Sequence, residues 1–371
     1  VDCRAFDEQL VRRDPKVAGL MDRFVCIRLV QANAMDLTLF QFDYDLTFAA
    51  FFMNADRTIY GRYGSRSDRK DATKDMSLEG FRKALETALE LHQKYPGNKT
   101  SLAGKQGRPP RFTSPEKYPS LAGKYSPTLD YEGKVVQSCM HCHQIQEAER
   151  RFFRDDRKPI PDEVLYPWPM PNAVGLKLDP GEKATVAEVA PGSVADVCGF
   201  KTGDVIQTVE GQPILSIADV QWVLNQAGQP ANLRVQGVRG GKKLDLTLNL
   251  GPGWRRQSDT AWRVTTWDLR RMAAGGLVLE ELTDAERIEA KIPASELGLR
   301  VKHVGQYGEH AAAKRAGFQP DDIVVSIDGD SARMTESAIL ARLVQTRMPG
   351  ENVPVTVLRA SSRVALVLPM Q

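Results

Sequence analysis

Two stretches in the second half of this chain carry the same signals in the same order, and that repetition narrows the architectures open to it. The first copy reads Ala173-Val174-Gly175-Leu176, then Gly199-Phe200-Lys201-Thr202-Gly203-Asp204-Val205-Ile206, then Gly211-Gln212-Pro213-Ile214. The second reads Glu296-Leu297-Gly298-Leu299, then Gly317-Phe318-Gln319-Pro320-Asp321-Asp322-Ile323-Val324, then Asp328-Gly329. A helical pattern follows in each, over about 216–226 and 335–346, and each copy closes on an alternating strand, 244–250 and 364–368. One strand-rich unit with a single well-formed helix is therefore expected twice, at 172–252 and 282–371. Asp321 stands where the first copy has Gly203, so the copies are not equivalent.

Residues 1–96 read as a small α/β unit. Phe24-Val25-Cys26-Ile27-Arg28-Leu29-Val30 has the apolar density of a buried strand, with Cys26 as a structural thiol inside it. Ala49 to Met53 forms a second strand, ended by the turn Asn54-Ala55-Asp56, and Thr58 to Tyr63 pairs with it as a hairpin. Ser77 caps a helix that runs to about Tyr95 and stops at Pro96-Gly97. Residues 97–129 are rich in Gly, Pro, Ser and Lys and read as an extended linker. Ser-Leu-Ala-Gly-Lys occurs twice there, at Ser101–Lys105 and Ser120–Lys124, which reads first as chance similarity in a biased linker and, alternatively, as a duplicated docking segment.

The segment 130–171 holds Cys139-Met140-His141-Cys142-His143. Two cysteines three apart on a helix share a face, so both can add as thioethers to the vinyl groups of one haem. The imidazole of His143 would then face the iron, the pattern of covalent c-type haem attachment. A zinc site would need a fourth ligand that no second CxxC or HxxxH supplies. A dithiol or a plain disulfide remain open at this point.

Three family resemblances follow from these residues. The order helix, strand, hairpin, helix in 1–96 resembles a thioredoxin-like domain. Cys3 falls at the second cysteine of that family's motif, which makes it a possible redox thiol. The first cysteine would precede Val1, so upstream sequence is expected. The family's cis-proline is absent at Thr47-Phe48-Ala49. The segment 130–171 resembles a reduced cytochrome c, which implies one covalent haem c held by Cys139 and Cys142, with His143 and Met170 as axial ligands. His92, Met140 and His141 are the alternatives to Met170. The repeats resemble PDZ domains of bacterial envelope proteases. That resemblance implies carboxylate-binding loops at Val174-Gly175-Leu176 and Leu297-Gly298-Leu299, which take peptide C-termini by strand addition. PDZ copies also occur without a protease core, so no protease is expected from them.

The expected fold class is thus multidomain α/β plus mostly-β: a thioredoxin-like α/β domain, a short helical haem segment and two PDZ-like domains. Residues 253–281 form a connector in which Trp254, Trp262 and Trp267 alternate with arginines. With a formal net charge of only +3, this reads as an extension of a domain core and not as a nucleic-acid surface. No stretch is long enough to span a bilayer. The whole resembles planctomycete-type envelope proteins that join these modules. That implies a periplasmic or cell-surface redox protein, with a redox partner and peptide C-termini as its protein contacts. A thiol–disulfide oxidoreductase and a PDZ scaffold are the alternatives.

Overall fold

A computed structural model describes residues 7–8, 12–68 and 71–371 of the 371-residue chain. Cys3 lies outside the described residues. The chain divides into two compact units: the described part of 1–146 with Tyr166–Ser258, and Glu147–Leu165 with Asp259–Gln371.

In the first unit, strands β1 (Ala50–Met53) and β2 (Ile59–Tyr63) form an antiparallel hairpin. Its turn is held by the Thr58 N–H, which donates to the side chains of Asn54 and Asp56 at 3.0 Å each. Helix α1 (Leu78–Gln93) starts where Ser77 Oγ accepts the Gly80 N–H at 3.0 Å. Phe81, Ala84, Leu85 and Ala88 recur at helical spacing and pack with Phe52, Tyr60 and Tyr63.

The hairpin and helix expected from the sequence are present, but the thioredoxin-like sheet is not. Among the described residues, this region contains β1 and β2 alone. The run 24–30 forms no strand. Val25 is 92% and Ile27 82% exposed, and Cys26 is exposed as well. Apolar composition raised the expectation of burial there, yet among the described residues no strand pairs the run, so its backbone turns to solvent.

Residues 97–129 are not an extended linker. They carry short helices at Lys99–Leu102, Ala103–Lys105 and Pro115–Lys117, and Leu102 and Lys105 are fully buried. The first pentapeptide copy docks on the repeat that follows. Gly104 C=O accepts the Trp222 indole N–H at 2.9 Å, and Lys105 Nζ meets Asp219 at 2.9 Å. The second copy buries Leu121 but leaves Lys124 exposed.

Helix α2 (His143–Asp155) follows the CxxCH motif. The first repeat then builds β3 (Leu176–Leu178), β4 (Val186–Val189), β5 (Val205–Val209), β6 (Gln212–Pro213), helix α3 (Ile217–Gln226), β7 (Ala231–Arg239) and β8 (Lys242–Leu250). β3 pairs with β4, and the other four strands lie in the order β6-β5-β7-β8. Val174, Leu176, Phe200, Ile206, Val220, Leu224 and Val235 close the core around a residual space of about 10 Å³, no more than one water molecule.

The second unit contains helix α4 (Thr266–Ala274), β9 (Leu277–Glu281), helix α5 (Asp284–Ala290), β10 (Leu299–Val304), β11 (Ile323–Ile327), helix α6 (Glu336–Thr346), β12 (Asn352–Arg359) and β13 (Ser362–Pro369). Its strands form one sheet in the order β13-β12-β11-β10-β9, with β9 at the edge. Residues 160–162 belong here, where Gln345 Nε2 donates to Ile160 C=O at 3.1 Å and to Asp162 at 2.8 Å.

Candidate peptide-binding sites

The hydrogen bonds of the two repeats superimpose residue by residue. Val186 N–H donates to Asp204 C=O at 2.8 Å, and Val301 N–H to Asp322 C=O at 2.8 Å. Asp204 is gripped by Arg239, whose other nitrogen donates to Gly199 C=O at 2.7 Å; Asp322 is gripped by Arg359, which reaches Gly317 C=O at 2.8 Å. Burial alone would raise the Asp204 pKa, but Arg239 and the Lys201 N–H together hold the carboxyl below the usual range. Gly203 has φ +87° and Asp321 φ +68°, so the non-glycine copy accepts the same left-handed turn.

The same register locates the strand-addition edge of each unit. In the first, Gly175 C=O accepts the Ala190 N–H at 2.9 Å, φ of Gly175 is +87°, and β3 runs on as Leu176-Lys177-Leu178 against Val189, Glu188 and Val186. Among the described residues β3 pairs with β4 alone, which leaves its other edge without a strand. Val174-Gly175-Leu176, expected as the carboxylate loop, stands at the head of that edge, at the end of the turn Pro171–Val174. Just upstream, Trp168 N–H donates to Asn225 at 3.1 Å and Trp168 C=O accepts from Gln221 at 2.8 Å, so the loop's approach is fastened to α3.

In the second unit, the counterpart is Gly276, and Gly298 does not take that place. Gly276 C=O accepts the Gly305 N–H at 3.0 Å, its φ is +88°, and Leu277-Val278-Leu279 pairs with Val304, His303 and Val301 with the same one-residue bulge. A Cβ on Gly276 would fall 2.0 Å from His310 C=O, so glycine is required there. Leu297-Gly298-Leu299 instead opens β10, with Leu297 and Leu299 fully buried, and this corrects the second loop as read from the sequence. The spacing misled because an extra helix is inserted. Gly175 precedes Gly199 by 24 residues (199 − 175) and Gly298 precedes Gly317 by 19 (317 − 298), whereas Gly276 precedes it by 41 (317 − 276). The 17 extra residues (41 − 24) include α5, with a full capping box between Thr283 and Glu286. The signal that could have found the site is Gly276-Leu277-Val278-Leu279, which repeats the pattern Gly175-Leu176-Lys177-Leu178.

The CxxCH segment does not assemble as expected. Cys139 has extended backbone at the end of the short turn Val135–Ser138, and α2 begins only at His143, so the two cysteines do not share one helix face. No disulfide joins Cys139 and Cys142, and burial pushes the Cys142 thiol up, away from thiolate. Burial and the neighbouring His141 hold the His143 imidazole down. Met170 packs in the core of the first repeat with Trp168, Val174 and Leu176, which accounts for it as an apolar filler. Met140 is fully buried and its N–H donates to Asn33 at 2.8 Å. Among the described residues no group of three or more His, Cys, Asp or Glu could hold a metal ion.

Arg255 of the connector has a structural role. Arg255 is buried and donates to the carbonyls of Leu224, Asn225 and Ala227 at 3.1, 2.6 and 3.0 Å, capping α3. Trp254 is buried beside it, its indole N–H donating to Gly228 C=O at 3.0 Å.

Comparison with known proteins bears on the first repeat. Residues 185–237 match the PDZ domain family. The chain is 26% identical over 198 residues to a probable periplasmic serine endoprotease DegP-like of Hahella chejuensis, covering 53% of this chain and 40% of that protein. It is 25% identical over 158 residues to the periplasmic pH-dependent serine endoprotease DegQ of Escherichia coli, covering 43% and 31%. The chain thus spans less than half the length of these relatives. Among solved structures it resembles the HtrA3 PDZ domain bound to a phage-derived ligand, at 29% identity and TM-score 0.16, over 18% of this chain and 60% of that one. It also resembles the HtrA-type protease AlgW with decapeptide, at 16% identity and TM-score 0.24, over 38% and 49%.

These relatives overturn the redox reading. They are periplasmic serine endoproteases, not cytochromes or thiol–disulfide oxidoreductases, so covalent haem c, electron transfer and a redox partner are withdrawn. A planctomycete-type haem and thioredoxin protein is likewise unsupported. The chain contains a PDZ domain within a mixed α/β fold and is related to periplasmic HtrA/DegP proteases. Among the described residues no helix is long and apolar enough to cross a membrane, and the expected periplasmic location agrees with that of the relatives.

Proposed function

We propose that this chain is the peptide-recognising part of a periplasmic protein related to HtrA-type serine endoproteases, and that its first PDZ unit captures protein carboxyl termini. A peptide would add as a strand along the open edge of β3, and the N–H groups around Val174-Gly175-Leu176 would hold its terminal carboxylate. The observation that carries this reading is the edge itself: β3 lies just before the PDZ-matching residues 185–237 and, among the described residues, has a partner strand on one side only. Lys177, the exposed residue of β3, points away from the core formed by Leu176 and Leu178, as a strand with one buried face requires. Recognition and compartment are what this reading takes from the relatives; peptide hydrolysis is not part of it.

The test is fluorescence anisotropy with the full chain and a labelled pool of ten-residue peptides randomised at their last four positions. Peptides with a free carboxylate should bind at least tenfold more tightly than the same pool amidated at the C-terminus. Equal binding of the two pools would remove the carboxylate from the recognition and with it this function.

A further inference from the structure

The second unit has the same strand edge, but its own carboxylate covers it. Glu336 is the first residue of α6, directly after the N-cap Thr335. Its Oε1 accepts the N–H of Leu279 in β9 at 2.8 Å. That N–H lies on the edge of β9 away from β10, where an added peptide strand would present a carbonyl oxygen. Arg270 of α4 holds Glu336 in place with both carboxylate oxygens engaged, at 2.9 and 2.5 Å, and donates further to Ala261 C=O at 3.0 Å. Arg270 and Glu336 are both almost completely removed from solvent.

The first unit lacks this arrangement at the matching position. Ile217, the first residue of α3 after the N-cap Ser216, stands where Glu336 stands, and its side chain has no acceptor to offer. Leu178 is the counterpart of Leu279 in the register described above.

We infer that Glu336 is an internal ligand of the second PDZ-like unit: it occupies the hydrogen-bonding edge of β9 and, latched by Arg270, keeps peptides out. The two repeats then differ in availability, the first open and the second closed until the Arg270–Glu336 pair separates from Leu279. A buried bidentate pair opens rarely, because each charge would be stranded away from water. This rests on reading both units as strand-addition sites.

Hydrogen exchange read by mass spectrometry on the full chain separates the two units, with the free-carboxylate peptide pool as the probe. Arg270→Met with Glu336→Leu replaces the pair by apolar side chains of similar length, a change that buried pairs tolerate. In the wild type the pool should leave exchange across 277–281 unchanged. In the double variant that segment should exchange at least tenfold faster without peptide and slow again when peptide is added. Glu336→Gln keeps an acceptor for Leu279 but leaves the buried Arg270 without its carboxylate, so exchange across 277–281 should rise above that of the wild type. Protection of 277–281 by peptide in the wild type would overturn the inference. So would a double variant that stays folded by circular dichroism yet shows no peptide protection there. Exchange at 176–178 reports separately on the first unit, and its failure to respond would sink the proposed function without touching the result at 277–281.

Discussion

Lys105 and Asp219 form an ion pair at 2.9 Å with neither side chain exposed at all. Asp219 also accepts the N–H groups of Arg62 at 3.1 Å and Leu215 at 3.0 Å, so one carboxylate joins β2, the 103–105 turn and the start of α3. Burial pushes the Lys105 ammonium down, against the pull of Asp219.

Asp219→Ala removes the partner of a fully buried cation and the acceptor of two backbone N–H groups together. Urea denaturation should show a loss of about 3–5 kcal/mol for such a stranded charge. Lys105→Met, which leaves an apolar chain in the slot and keeps the two backbone contacts of Asp219, should lose distinctly less. Equal losses would mean that the pair does not organise this junction.

Val25 and Ile27 tell the sequence reading and the structure apart in a single measurement. A buried strand at 24–30 predicts that Val25→Thr with Ile27→Thr costs several kcal/mol. The exposed run predicts a change within about 0.5 kcal/mol, as for surface substitutions in general. Chemical denaturation of the double variant decides between them.

Glu286 supplies the pH dependence. The Thr283 hydroxyl, the Thr283 backbone N–H and Arg300 hold its carboxyl down at about 2, against a model-peptide value of 4.5. A depressed carboxylate favours the folded state above its unfolded pKa, and this contribution is lost as pH falls through the folded value. The melting temperature of Glu286→Gln should therefore lie below that of the wild type at pH 6. The gap should narrow from about pH 4.5 downward and close near pH 2. A gap that stays constant over that range would assign the effect to packing.

What the sequence disclosed, and what it hid, follows from the range of the interactions involved. The β1–β2 hairpin and the Ser77-capped helix depend on neighbours within a few residues, and they were legible. The repeat was legible because glycine and aspartate at fixed offsets reflect local turns, as at Gly203 and Asp321. The second peptide edge was hidden, because the helix 284–290 separates Gly276 from the rest of its repeat and a second Gly-Leu pair at 298 offered a nearer match. Glu336 was invisible for a different reason: its partners, Arg270 and Leu279, lie 66 and 57 residues away. The CxxCH motif shows the converse. Five residues matched a local pattern, yet the helix needed to align both sulfurs starts at His143, after both cysteines have passed.

The clasp that Arg255 and Trp254 place on the end of the helix 217–226 bears on where the first module can be cut. The match to the PDZ family ends at residue 237, and the last strand ends at 250. A fragment trimmed to either point would strip three helix-end carbonyls of their donor and open a tryptophan-sized hollow beside them. Its failure to hold a peptide would then report on the scissors and not on the groove, so an excised module should run through Ser258.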